Sequence, residues 1–296
     1  GAWTTGVAGV KAATGPLAAS GLLVAVAQEG GPQQPLSGMG FDAVPAASAQ
    51  GQVPQAELRA NWTGWGLQLR DAGVHLNLAP AGDVLSAANA AQPGAPGAWD
   101  RLLGSDPEAV SASVTATIGG LQDAGIASAV AHYPGMGALP AGAGSTAAGP
   151  ASDPETTAAS ASLAPYRAAA SAGADAITVS SATFAKIDAQ NPAVFSSAVM
   201  ALVREDLRFP GVIVSEDLAG PALAAVPAAE RGVRFVRAGG GLAVVSDPAT
   251  ADAVVSGLAA AAASDQALAA QLKDAASGVL ALKSVAGISG CVAVRG

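Results

Sequence analysis

Aromatic rings are scarce in this chain: five Phe, four Trp and two Tyr make up 4% of its 296 residues. A core with so few rings has to close around small aliphatic side chains packed against backbone at the density of an organic crystal. Charge is sparse as well, at 12% of residues, and 14 Lys and Arg against 22 Asp and Glu leave a net charge of -8 and a pI near 4.6. The basic residues are scattered singly, so the field disfavours nucleic acid and anionic membrane surfaces as partners. Cys291 stands alone, which excludes an internal disulfide. Two His and that one Cys fall short of the three or four ligands of a zinc site, so no metal is expected, and no cofactor either. No apolar run reaches the roughly 20 residues that span a bilayer. The stretch 254–263 is among the longest, and Ser and Gly interrupt it. An initiator Met and a basic-then-apolar leader are lacking too, which gives the expectation of a processed form.

What the chain does have is apolar material, 51% of its residues, ample for a folded core. Short apolar runs recur from end to end, each followed by Gly or Pro and then by an Ala-rich helical stretch, which is the pattern of βαβ units and a parallel sheet. Strands are expected at 22–26, 74–78, 128–131, 176–179, 212–214 and 242–245, with a seventh at 2–7 and an eighth not placed. Helices are expected at 106–123, 154–172, 196–207 and 249–263. Ser105-Asp106-Pro107-Glu108 puts a cap, a Pro and an acid at a helix start, and Asp153-Pro154-Glu155 repeats the device. At about 150 residues per domain the length would allow two domains, but α/β barrels run as one at roughly 250. Residues 1–296 are therefore read as a single α/β domain, a (β/α)8 TIM-barrel-like fold with one incomplete or irregular strand.

Four segments at the ends of expected strands carry the polar chemistry. They are Val26-Ala27-Gln28-Glu29-Gly30-Gly31, Asn77-Leu78-Ala79-Pro80-Ala81-Gly82-Asp83-Val84, Ala131-His132-Tyr133-Pro134-Gly135-Met136-Gly137 and Phe209-Pro210-Gly211-Val212-Ile213-Val214-Ser215-Glu216-Asp217-Leu218. In this order and spacing they resemble the N-terminal barrel of glycoside hydrolase family 3, in its bacterial β-N-acetylhexosaminidase branch. The stretches 163–167 and 187–195 are similar to the family as well, so the likeness runs from about residue 21 to 283. It implies a site for an amino sugar or cell-wall glycan, with Glu216 at the nucleophile position and Arg101, His132, Glu29 and Asp83 as substrate-binding residues.

The departures from the family pattern bear on activity. Where the family has an Asp before Gln-Glu-Gly-Gly this chain has Ala27, Pro32 stands where an Arg commonly follows the Gly pair, and Ala131 replaces the Lys before His132. The family's nucleophile is an Asp, and Glu216 is one methylene longer; a misplacement of about 1 Å can cost about 100-fold in rate. The branch's acid/base Asp-His pair lies on the loop after His132, yet residues 134–152 contain no ionisable side chain. Loss of a proton donor forfeits a factor of about 100 to 10,000.

Other candidates have simpler readings. With no carboxylate orienter evident in the sequence, His132 reads more readily as a buried structural ring than as a catalyst, and so does His75 within a strand. Trp62 and Trp65 suit the core face of a helix better than a sugar platform, and Gly239-Gly240-Gly241 reads as a helix cap feeding a strand. Three functions stay open. The first is a catalytically impaired barrel that still binds amino sugars, secreted or associated with a bacterial envelope. The second is an active retaining glycosidase with Glu216 as nucleophile, and the third a structural barrel that binds an envelope protein.

Overall fold

The computed structural model describes residues 5–19, 21–90, 100–140 and 149–288. Cys291 and most of the expected strand at 2–7 lie outside them. Among the described residues nine strands occur: β1 Ala25–Val26, β2 Leu76–Asn77, β3 Ala127–Tyr133, β4 Ser152–Asp153, β5 Ala176–Val179, β6 Thr183–Phe184, β7 Asp188–Pro192, β8 Val212–Asp217 and β9 Leu242–Val244. Six of them form one parallel sheet in the order β1-β2-β3-β5-β8-β9, each joined to the next by helical crossovers, so the architecture is α/β and TIM-barrel-like. The remaining three form a small sheet in the order β4-β6-β7, with β6 and β7 antiparallel.

Alternation along each strand sorts side chains between the two faces of the large sheet. Leu76, Ala127, Ala129, Ala176, Val212 and Val214 share one face, where Leu282 and Val279 of the helix Gln266–Val285 pack against them. Val130, Ile177, Val179 and Ile213 point the other way into the largest core cluster, against Val114, Ile118, Tyr166 and Phe235 of the flanking helices. Each buried aliphatic side chain of this kind is worth roughly 1.5–3 kcal/mol. The scarcity of rings is met by close backbone approach. A Cβ at Gly120 in the helix Pro107–Asp123 would sit 2.5 Å from the Arg59 carbonyl oxygen and 2.6 Å from Trp62 Cβ in the helix Gln55–Asp71.

Caps follow the expected chemistry at several helix starts. Asp106 Oδ1 accepts from Ala109 N at 2.8 Å with Pro107 in the first turn, and Asp247 and Ser196 cap their helices in the same way. Gly239, at φ 115°, ends the helix Ala228–Ala238 in the left-handed conformation that a side chain would strain. Trp62 is buried in a T-shaped contact with Trp65 and donates from Nε1 to Gln50 Oε1 at 2.9 Å, which makes the pair a core feature.

Two expectations are corrected. The chain at Gly6–Ala19 is a helix, so the described end of the expected strand at 2–7 is helical, docked by Gly6 N donating to Ser37 O and Val7 N to Met39 O. The helix expected from residue 154 starts at Ala164, after a 3-10 turn at Ala161–Leu163. Asp153 accepts from Glu155 N, Thr156 N and Thr156 Oγ1, and this turn holds the segment in place beside β6 rather than capping a helix. Among the described residues no helix is long and apolar enough to cross a membrane.

Candidate functional site

The five residues singled out for the site converge at the C-terminal ends of the parallel strands. Glu29 follows β1, Asp83 follows β2, His132 lies near the end of β3 and Glu216 near the end of β8, while Arg101 comes from the segment leading to the helix Pro107–Asp123. This is the face on which barrels of this kind carry their chemistry. Glu216 lies in the stretch between Val214 and Asp217 where the register of β8 against β9 is irregular, and Asp217 accepts from Ala219 N, Ser246 N and Ser246 Oγ.

Asp83 is the hub. It is fully buried, and its oxygens accept from His132 Nδ1 at 2.9 Å, His132 N at 3.2 Å, Met136 N at 2.8 Å and Tyr166 Oη at 2.8 Å. An ionised carboxylate only accepts, so Nδ1 of His132 carries the proton and the ring is fixed in orientation. Burial opposes ionisation of Asp83, but the charge and hydrogen bond of His132 and the Met136 and Tyr166 donors outweigh it and hold the carboxyl below its usual range. Burial likewise opposes charge on His132, and the attraction and hydrogen bond of Asp83, with the charge of Glu216, overcome it and raise the imidazole above 6.5. Burial together with the charge of Asp83 pushes the Tyr166 hydroxyl well up, so it stays a donor. The expectation that His132 lacks an orienting carboxylate is thus corrected: Asp83 orients it, from 49 residues away in sequence.

A second pair adjoins the first. Arg101 grips Glu29 through Nη2–Oε1 at 2.6 Å and Nε–Oε2 at 3.0 Å, the fork geometry that guanidinium and carboxylate share. Its Nη2 also lies 3.4 Å from His132 Nε2. Glu29 is held in place by the turn at Gly30, whose φ of 102° and approach to the Pro45 carbonyl leave no room for a side chain. Glu216 is buried, accepts from Ser181 N at 2.5 Å through Oε2 and directs Oε1 toward His132 Nε2 at 4.0 Å. Among the described residues that Oε1 has no hydrogen-bond partner.

Sequence reasoning missed Tyr166 and Ser181. Tyr166 stood in the segment 163–167 that resembles the family, but its bond to Asp83 spans 83 residues and leaves no periodic trace. Ser181 acts through its backbone N–H, which any residue type supplies. Ala27 is exposed at the end of β1, and Ala131 is buried beside His132, so neither position brings a charge to the cluster. His75 Nδ1 accepts from Val24 N at 3.2 Å, a structural role consistent with burial lowering its pKa. Among the described residues no group of three or more His, Cys, Asp and Glu is disposed to hold a metal ion.

Comparison with known proteins gives this geometry its family. A β-N-acetylhexosaminidase crystal structure from Beutenbergia cavernae DSM 12333 is similar with a TM-score of 0.90 and 35% identity, covering 96% of this chain and 87% of that one. A glycoside hydrolase family 3 β-N-acetylglucosaminidase from Paenibacillus sp. str. FPU-7 is similar with a TM-score of 0.78 and 28% identity over 93% of this chain and 52% of that one. A β-hexosaminidase of Xanthomonas oryzae pv. oryzae is 32% identical over 222 residues, 72% of this chain and 63% of its own length. The chain therefore spans under two thirds of the length of that curated relative. The model of the glycosyl hydrolase family 3 N terminal domain matches residues 11–282. On this match, and on the sheet and strand-end cluster that accompany it, the chain belongs to glycosyl hydrolase family 3.

Proposed function

We propose that this chain is a β-hexosaminidase-like barrel that binds an amino sugar at the C-terminal end of its sheet and has lost most or all glycoside hydrolysis. The observation that carries the reading is that residues 134–152, where the family's acid/base pair lies, contain no ionisable side chain, while among the described residues Glu216 forms an ion-pair contact with His132 alone. A retaining glycosidase places its nucleophile and its acid/base about 5–5.5 Å apart with the glycosidic bond between them. Here the imidazole Nε2 is 4.0 Å from Glu216 Oε1, closer than that separation. His132 is also committed to Asp83 and neighbours Arg101, which makes it a brace for the cluster rather than a free proton donor. Residues 134–152 offer no substitute acid. The amino-sugar class comes from the hexosaminidase relatives, and Arg101 with Glu29 supplies donors and acceptors suited to hydroxyl and acetamido groups.

The test pairs two measurements. Calorimetry with N-acetylglucosamine is expected to give saturable heat that Arg101→Ala abolishes, while a chromogenic N-acetylglucosaminide is expected to stay uncleaved above background. The unpartnered Oε1 of Glu216 favours a second reading, in which that carboxylate is the nucleophile of a working hydrolase. Turnover that disappears in Glu216→Gln would establish the second reading and refute the first.

A further inference from the structure

At the N-terminal end of β8, away from the charged cluster, a cavity of about 320 Å³ opens between the segment 210–212, the end of the helix Ala228–Ala238 and the helix Gln266–Val285. Its volume falls at the lower end of the roughly 300–1,000 Å³ typical of small-molecule sites. Val212, in the lining, precedes Glu216 by four residues of strand, about 13 Å at 3.3 Å per residue. A small occupant of the cavity therefore does not touch the cluster.

Arg204 brings the positive charge to the lining. It sits in a π-helical turn, Leu202–Asp206, and its Nη1 donates to the Phe209 and Gly211 carbonyls at 2.7 Å each, which fixes the guanidinium. Its Nε and Nη2 have no partner among the described residues. Arg59, Arg101, Arg167, Arg234 and Arg237 each hold a carboxylate within 3.0 Å, and Arg204 holds none. Burial lowers its pKa with no acid to offset the cost, so an anion brought to it is favoured. Other parts of the lining have the opposite sign. The exposed Asp274 side chain has no partner among the described residues, and the helix Ala228–Ala238, closed by Gly239, presents the negative end of its dipole. Those groups repel a plain anion such as phosphate and attract an ammonium. Gln271, whose side chain is likewise unpartnered among the described residues, can donate or accept, and Val212, Val236 and Ala275 add an apolar surface. One guanidinium against one carboxylate sums to zero, so a ligand that pairs both carries one group of each sign.

We infer that this cavity is a binding site for a small zwitterion of the α-amino acid class, with its carboxylate on Arg204, its ammonium on Asp274 and its aliphatic side chain against Val212, Val236 and Ala275. Calorimetry of the full chain with L-valine tests it, beside two relatives that each lack one charge: 3-methylbutanoate, without the ammonium, and isobutylamine, without the carboxylate. L-Valine is expected to give saturable heat and to bind about tenfold tighter or more than either relative. Asp274→Asn is expected to remove the advantage over 3-methylbutanoate and to leave 3-methylbutanoate itself unchanged. Asp274 is exposed, so this isosteric change spares the fold. Arg204→Gln is expected to lower L-valine to the level of isobutylamine while isobutylamine is unaffected, a selectivity that loss of the fold would not produce. Absence of heat with L-valine, equal affinity for L-valine and either relative, or equal weakening of L-valine and 3-methylbutanoate by Asp274→Asn would overturn the site. None of these outcomes bears on the amino-sugar reading of the strand-end cluster.

Discussion

Replacing Asp83 with Asn tests the centre of the site most directly. Asn keeps one acceptor oxygen for Met136 N and Tyr166 Oη but turns an amide N–H₂ toward the protonated Nδ1 of His132, donor against donor. Hydrogen bonds to a charged group contribute about 1.5–3 kcal/mol each, and breaking a buried ion pair by removing one partner costs about 3–5 kcal/mol. The two figures describe one interaction and are counted once, at about 3 kcal/mol. At roughly 2–4 °C per kcal/mol that is a fall in Tm of about 6–12 °C, read by scanning calorimetry. The loss has a pH signature. The folded pKa of His132 is raised above 6.5, so its share of the stabilisation is complete below 6.5 and fades as pH rises through the folded value. The folded pKa of Asp83 is lowered below 3.8, so its share is complete above 3.8 and fades as pH falls through the folded value. The gap between the original chain and Asp83→Asn is therefore widest between pH 3.8 and 6.5. An NMR titration of His132 is expected to show its midpoint falling in the variant. A Tm within about 2 °C of the original, with that midpoint unmoved, would refute the account of Asp83 as the hub.

Other substitutions probe the packing and the chemistry. Gly64 is exposed in the helix Gln55–Asp71, and a methyl group there would meet nothing within 4 Å, so Gly64→Ala is expected to stabilise the chain by about 0.5–1 kcal/mol in chemical denaturation. Gly120→Ala has the same helix-propensity gain, but its Cβ meets the Arg59 carbonyl and Trp62, so overpacking of about 1–3 kcal/mol wins and the net change is a loss. Asp106→Ala removes a cap and is expected to cost about 1 kcal/mol. Glu216→Asp restores the shorter carboxylate but supplies no proton donor, so release of chromophore from an N-acetylglucosaminide is expected to rise by no more than the roughly 100-fold that misplacement by about 1 Å costs; a larger rise would show that the acid is present after all.

The parts of the fold written in local pattern were legible. The run at Ala176–Val179 is largely apolar and lies between Gly173 and Ser180, and it is a strand over those four residues; Asp106-Pro107-Glu108 states its own helix start. The sequence overstated β1 and β2, which pair over only two residues each although their apolar runs are longer. Asp153-Pro154-Glu155 misled because Asp accepts backbone N–H groups equally well in a turn and at a cap, and only the pairing of β4 with β6 decides between them. The strand β7, with the sequence Asp-Ala-Gln-Asn-Pro, has no apolar alternation to reveal it. In the site, the residue types were readable one by one, whereas the links between them were not. Asp83 meets His132 across 49 residues and Arg101 meets Glu29 across 72, distances at which only the folded sheet supplies the adjacency.

The helix Gln266–Val285 packs at one end of β8, so the strand has two unlike ends. Leu282 packs with Val212 and Val214 at the greasy foot of the strand, and Glu216 rests among its polar partners near the opposite rim. Loosening the foot would let water reach Val212 and Val214 before it reached Glu216. In exchange experiments the amides of β8 should therefore become unprotected from Val212 upward, so that the cluster of charges is the last part of its own strand to come undone.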